Sequence, residues 1–110
     1  MRGTPNLQAP QLHATHAPAA ATAAVITIAA EAEVVHVLDQ IEWSYDAAPT
    51  GGRLTVTIGG TTVLDLSITA DGPGFIPFPK GLYGTVNQAV VITLASGGGT
   101  VVGKINATYR

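Results

Sequence analysis

Apolar and polar residues alternate most regularly between Arg53 and Ile68, in the segment RLTVTIGGTTVLDLSI. Large aliphatic residues recur at every second position on both sides of Gly59-Gly60: Leu54, Val56, Ile58, Leu64, Leu66 and Ile68. Successive side chains of a strand point to opposite faces of a sheet, so each half has one apolar and one mostly polar face. The glycine pair can adopt the positive φ angles of a tight turn. The segment therefore predicts an antiparallel hairpin with one buried face.

Further strands are predicted on both sides of this hairpin, wherever short apolar runs lie between turn-forming residues. They span residues 23–30, 34–45, 75–78, 82–83, 89–95 and 100–109. Pro77 and Pro79 cannot donate to a sheet, so the segment 75–78 is expected to be an edge strand or a crossing loop. A helical period also fits residues 29–40, but the valine-rich start of the second segment and its Trp-Ser-Tyr end favour a strand.

The longest predicted strand covers Val34–Tyr45. Strict alternation places four apolar side chains on one face: Val37, Ile41, Trp43 and Tyr45. Asp39 interrupts this face, and Leu38 falls on the opposite, more polar one. Because Trp43 is the largest of the apolar side chains, we expect it to be the main aromatic of the core.

About seven or eight short strands, with turn signals roughly every ten residues, predict an all-β protein. The pattern is typical of a single antiparallel β-sandwich, of jelly-roll or immunoglobulin-like type, over residues 23–110. Residues 1–22 differ, because prolines are spread through them and Leu7 and Leu12 are their only large aliphatic residues. We expect this segment to be an extended N-terminal arm whose leucines contact a partner.

Charge is scarce in this chain of 110 residues, which is long enough for one domain. Charged residues make up 11% of the sequence and the net charge is −2, against roughly 25% charged residues in an average soluble domain. Neither nucleic acid nor an acidic membrane surface is an expected partner of such a chain. A free monomer with so few charges has a small margin of solubility, which favours a protein whose surface is covered by partners.

Candidate chemistry is sparse as well. The sequence has no cysteine, so disulfides and thiolate-bound metals are excluded, and no apolar run is long enough to span a membrane. The 7 carboxylates are scattered over predicted turns and polar faces. His13 and His16 are spaced for a metal, but they lie in the arm without a neighbouring carboxylate. We therefore expect no catalytic residue, no metal, no cofactor and no enzymatic activity.

Four short motifs resemble a group of small structural proteins of tailed bacteriophages. The motifs are Trp43–Tyr45, Ala48–Gly52, Ile68–Gly74 and Gly103–Asn106. The resemblance covers about two thirds of the chain and does not include the arm. It implies a β-sandwich component of the virion. Capsid decoration (cement) proteins of this size in such phages are typically trimers on the head shell.

The resemblance and the low charge together predict a capsid decoration protein at the virion surface. Its expected partners are the major capsid protein, or another virion protein, and further copies of itself as a homotrimer or other homo-oligomer. The polar face of the Arg53–Ile68 hairpin has Arg53 and Asp65 as its only charges. We therefore expect a neighbouring subunit to cover this face, with Arg53 and Val63 joining Leu7 and Leu12 as contact residues.

Two alternative functions stay open from the sequence. One is a component of the tail, the collar or the base of a head fibre. The other is a carbohydrate-binding module that attaches particles to cells, which requires exposed aromatic residues such as Tyr83 to form a platform for sugars.

Overall fold

A computed structural model describes residues 11–110, and the predicted contact residue Leu7 lies outside this range. The described residues form eight strands and no helix, so none of them forms a helix able to cross a membrane. The strands are β1 (Leu12–His16), β2 (Ala24–Ile28), β3 (Val37–Tyr45), β4 (Gly52–Ile58), β5 (Thr61–Ile68), β6 (Gly72–Tyr83), β7 (Val90–Leu94) and β8 (Gly103–Tyr109). The prediction of an all-β protein is confirmed, and the helical alternative for residues 29–40 is not adopted.

The strands form two four-stranded antiparallel sheets, ordered β1-β8-β3-β6 and β2-β7-β4-β5. Strand β1 pairs with β8, β2 with β7, β3 with β6, and β4 with β5. The chain is thus one long hairpin whose two halves stay paired while it winds into two layers, and Gly59-Gly60 is its apex. This pairing is that of a jelly roll, which selects one of the two sandwich types that the sequence left open.

The core lies between the two sheets and consists of aliphatic side chains from matching inward rows. One row crosses the second sheet through Ile26, Ile92, Val56 and Leu64. The facing row of the first sheet runs through Ala14, Ala107, Ile41 and Ile76. Ile41, Val56 and Ile92 have no exposed surface. Burial of such side chains stabilises the fold by about 1.5–3 kcal/mol each.

Strict alternation was wrong for Leu38 in β3, and Trp43, although it packs against the core from the predicted face, is not the main aromatic of the core. A β-bulge between Leu38 and Gln40 inserts one extra residue opposite β8, which shifts the phase of the strand, so Leu38 lies in the core. Trp43 is only half-buried, and its indole covers the backbone of Gly74 on β6. The large aromatic of the core is instead Tyr45, whose hydroxyl donates a 2.6 Å hydrogen bond to the carbonyl of Ala95. Burial raises the pKa of this hydroxyl.

Part of the predicted arm belongs to a sheet. Strand β1 pairs with β8 from Leu12 opposite Tyr109 to His16 opposite Ile105. Its only side chain that packs against the core is Ala14, so the backbone ladder holds this strand and the hydrophobic pattern cannot show it. Within the described residues, the sandwich therefore begins at Leu12 rather than at residue 23.

The proline-rich strand β6 forms one edge of the first sheet, as Pro77 and Pro79 predicted. It is longer than expected, since the two predicted pieces, 75–78 and 82–83, belong to one strand. Pro77 faces Gln40 and Leu82 faces Leu38, so residues 78–81 of β6 make an excursion beside β3.

Candidate functional site

The outer face of the second sheet is nearly free of charge, and we call it the Thr/Val face. Its outward side chains are Val25, Thr27, Arg53, Thr55, Thr57, Thr62, Val63, Asp65, Ser67, Val91 and Thr93. Threonine and valine dominate because both suit a pleated surface. The two charges of the face sit at neighbouring positions of β4 and β5, on one side of the sheet.

Arg53 and Asp65 neutralise each other. Arg53 Nε donates to Asp65 Oδ1 at 2.7 Å and its terminal nitrogen donates to Oδ2 at 2.5 Å. These hydrogen bonds hold the pKa of Asp65 below its usual value. The side chains are 58% and 45% exposed, so the pair adds little to stability. Its consequence for a partner is that the Thr/Val face presents no net charge.

The predicted contact residues fall at two separate places. Arg53 and Val63 both lie on the Thr/Val face, and Val63 is the extra residue of a bulge in β5 opposite Val56 and Thr57. Its side chain is 46% exposed. Leu12 is 52% exposed on the edge strand β1 of the other sheet. Arg53 and Val63 therefore lie on the same face, whereas Leu12 lies on the other sheet.

The outer face of the first sheet has a different feature, a cleft of about 380 Å³. Its lining residues are Gln11, His13, Asp39, Gln40, Pro77, Phe78, Pro79, Thr108 and Arg110. Four of them, His13, Thr108, Gln40 and Pro77, form one outward row across all four strands. His13 Nδ1 lies 3.3 Å from the hydroxyl of Thr108. The floor of the cleft is therefore a row of side chains fixed by the sheet register.

An ion pair forms part of the lining of the cleft. Arg110 binds Asp39 with both arms of its guanidinium group, at 2.9 Å from Nε and 2.6 Å from a terminal nitrogen. The side-chain amide of Gln11 donates to the same carboxylate at 3.1 Å. These side chains of Arg110 and Asp39 are only 21% and 12% exposed. The hydrogen bond to Asp39 raises the pKa of Arg110.

The bulge in β3 explains how Asp39 and Gln40 come to line the same cleft. Leu38 and Ile41 both point into the core, so the two residues between them are left for the outer side. Bulges commonly re-aim side chains in this way. Sequence reasoning missed the cleft, although the carboxylate of Asp39 within an apolar alternation was a visible sign of the bulge.

Two further histidines, His16 and His36, have structural roles. His16 Nδ1 accepts a 2.9 Å hydrogen bond from the amide of Val25, and His36 Nε2 lies 3.1 Å from the carbonyl of Ala29. No group of three histidine, cysteine or acidic residues that could hold a metal ion occurs among residues 11–110. Of the aromatic side chains, Phe75 and Tyr83 on β6 are well exposed, at 62% and 44%.

Comparison with known proteins adds the fold alone. No protein-family model matches the sequence, and no curated protein matches it. One similar structure is the CBM36-1 domain of a multidomain xylanase from the hindgut metagenome of Trinervitermes trinervoides. The identity is 15%, the TM-score is 0.49, and 86% of this chain and 73% of that chain are covered.

Two further structures have comparable or lower similarity. A carbohydrate-binding module CBM36 in complex with calcium and xylotriose matches at 17% identity and a TM-score of 0.47, over 87% of this chain and 76% of that chain. A structure of infectious bursal disease virus, Gx strain, matches at 17% identity and a TM-score of 0.33, over 90% of this chain and 32% of that chain. This likeness does not extend beyond a β-sandwich.

Proposed function

We propose that the protein is a structural component of a tailed-phage virion, a decoration protein that packs on the head shell through its Thr/Val face. The observation that supports this proposal is that the single charged pair of the face is internally neutralised. Moving an unpaired charge out of water costs several kcal/mol, whereas burial of a valine side chain is favourable and a threonine hydroxyl costs less than a charge. Cores of protein interfaces are depleted in charge for this reason.

The dimensions of the face set how strongly it can bind. Four strands spaced about 4.8 Å apart, with about six residues rising about 3.3 Å each, cover roughly 400 Å². A stable interface needs about 800 Å² from each partner. The Thr/Val face alone therefore supports a weak contact, and firm attachment requires more of the chain. The predicted arm, with Leu7 and Leu12 as apolar anchors, is the second contact in this proposal.

Many weak contacts suit a cement role. Each copy, as part of a homotrimer or another homo-oligomer, bridges neighbouring subunits of the major capsid protein at the surface of the head. Several contacts on one lattice act together, so that the assembly binds far more tightly than one face does. The mechanism requires no chemistry, only the burial of surface between subunits.

A pair of matched lysine substitutions tests the contact surface. Thr93→Lys places a charge on β7 at the centre of the Thr/Val face, and Asn106→Lys places one on β8, on the outer face of the first sheet and outside the arm. The assay is cosedimentation of the purified protein with phage heads that lack it. We expect Thr93→Lys to weaken binding at least about tenfold, because the lysine loses its hydration in the interface, and Asn106→Lys to change it less than about twofold.

Two results would contradict the proposal. If both variants bind heads as the unaltered protein does, the Thr/Val face is not the contact surface. If the protein binds isolated tails but not heads, it belongs to the tail, the collar or a fibre base. Circular dichroism of both variants checks that the sandwich is still folded.

A further inference from the structure

The cleft on the first sheet lies apart from the Thr/Val face, and its lining indicates what it can bind. The charged side chains in the lining are Asp39 and Arg110, which neutralise each other at 2.6–2.9 Å. A strongly anionic or cationic ligand would find no uncompensated partner there. The ligand that suits this lining is therefore neutral.

The polar groups of the cleft both donate and accept hydrogen bonds. The amides of Gln11 and Gln40, the hydroxyl of Thr108 and the imidazole of His13 have donor and acceptor atoms, the guanidinium of Arg110 donates and the carboxylate of Asp39 accepts. Hydroxyl groups are the ligand groups that use such a mixture fully, since each of them donates one hydrogen bond and accepts others. A ligand with several hydroxyls therefore matches the floor of the cleft and its ion pair.

The remaining wall is apolar. Pro77 and the excursion residues Phe78 and Pro79 line it, and such rigid side chains lose little conformational freedom on binding. A sugar ring has apolar C–H faces as well as hydroxyl edges, and it can lay one face on such a wall. The volume of about 380 Å³ lies within the range of small-molecule sites, roughly 300–1,000 Å³.

The position of the cleft disfavours an extended peptide. Peptides that add to a sheet pair with its free edge, whereas the floor of the cleft includes β8 and β3, which have hydrogen-bonded neighbours on both sides. Recognition there has to come from side chains. We propose that the cleft formed by β1, β8, β3 and the β6 excursion binds a neutral oligosaccharide, with Gln40 and Thr108 contacting its hydroxyls.

The test is an NMR titration of the full-length protein with cellotriose, maltotriose and N-acetylchitotriose, each at millimolar concentration. An oligogalacturonate serves as the acidic comparison. We expect at least one neutral trisaccharide to shift the side-chain amide signals of Gln40 and Gln11, and the oligogalacturonate to bind more weakly.

Two variants on the same strand and the same outer side locate the effect. Gln40→Ala removes a hydrogen-bonding group from the cleft floor, and Ser44→Ala removes one outside the cleft. We expect the first to weaken binding of the trisaccharide about tenfold and the second less than about twofold. If Gln40→Ala does not fold, Thr108→Val tests the cleft instead, because it removes a hydroxyl from the floor and keeps the side-chain shape.

Three results would overturn the inference. These are no shift with any of the neutral trisaccharides, shifts confined to residues outside the cleft, and equal affinities for the Gln40→Ala and Ser44→Ala variants. None of them bears on attachment to heads through the Thr/Val face, which lies on the other sheet. The two proposals can therefore fail separately.

Discussion

The two outer faces of the sandwich follow the same alternation rule and have opposite character. The Thr/Val face is even, and its one ion pair lies open to solvent. The opposite face has a cleft and an ion pair that is largely shielded from water. The inward positions of both sheets, by contrast, are mostly aliphatic residues that pack the core. Function in this fold is therefore to be sought in the outward positions, which packing leaves free to vary.

The two sheets also differ in regularity. Strand β4 and its neighbours form even ladders with one bulge at Val63, whereas β3 has a bulge and β6 an excursion at the same level. A regular hydrogen-bond ladder gives a face without a cleft, which can pack against another surface. A disturbed ladder turns extra side chains outward and builds a concave site. The distinction between an attachment face and a ligand cleft rests on this difference.

The largest predicted effect on stability comes from comparing one glycine substitution in each sheet. Gly81 has φ +77° in the β6 excursion, and a Cβ there would collide with the buried side chain of Val37. Gly60 has φ +85° at the hairpin apex, with nothing nearby. We expect Gly81→Ala to destabilise the protein by about 2–4 kcal/mol and Gly60→Ala by about 1 kcal/mol. Urea unfolding of both variants measures this. Equal losses would mean that the excursion is not held rigidly against β3.

A smaller effect compares the two ion pairs. Asp39→Ala leaves Arg110 and Gln11 without their shielded acceptor, and a Tm lower by roughly 5 °C is expected. Asp65→Ala breaks an exposed pair and is expected to shift the Tm by no more than about 1 °C. Thermal unfolding followed by circular dichroism gives both values. A larger loss for Asp65→Ala would contradict the assignment of the cleft pair as the structural one.

The smallest predicted effect is the loss of stability at acid pH when the Arg53–Asp65 pair is broken. Hydrogen bonds from Arg53 lower the pKa of Asp65 below the 3.8 of an unpaired aspartate. The stability that this pair contributes is therefore present above the unfolded-state pKa and is lost as the pH falls through the lowered value. A carboxyl NMR titration is expected to place the Asp65 midpoint below 3.8, and Arg53→Gln is expected to return it upward. The same midpoint in both proteins would mean that the pair does not persist in solution.

The regular second sheet could be predicted from the sequence, whereas the irregular parts of the first sheet could not. The hairpin around Gly59-Gly60 and the charge-poor face follow from a strict period of two. Strand β1 was not predicted because its side chains bury almost no surface, and its stability comes from backbone hydrogen bonds. The cleft was not predicted because the bulge at Asp39 and the excursion after Pro77 change the strand register. A periodic pattern cannot place the residues that follow such a change.

The central claim is that the Thr/Val face is covered in the virion. An electron cryo-microscopy map of intact particles, resolved to side chains, tests it most directly. The account predicts this sandwich on the head shell, with Thr55, Val63 and Thr93 in contact with a neighbouring subunit and the cleft open to solvent. A map in which these three side chains face solvent and the opposite sheet lies against the shell would contradict it.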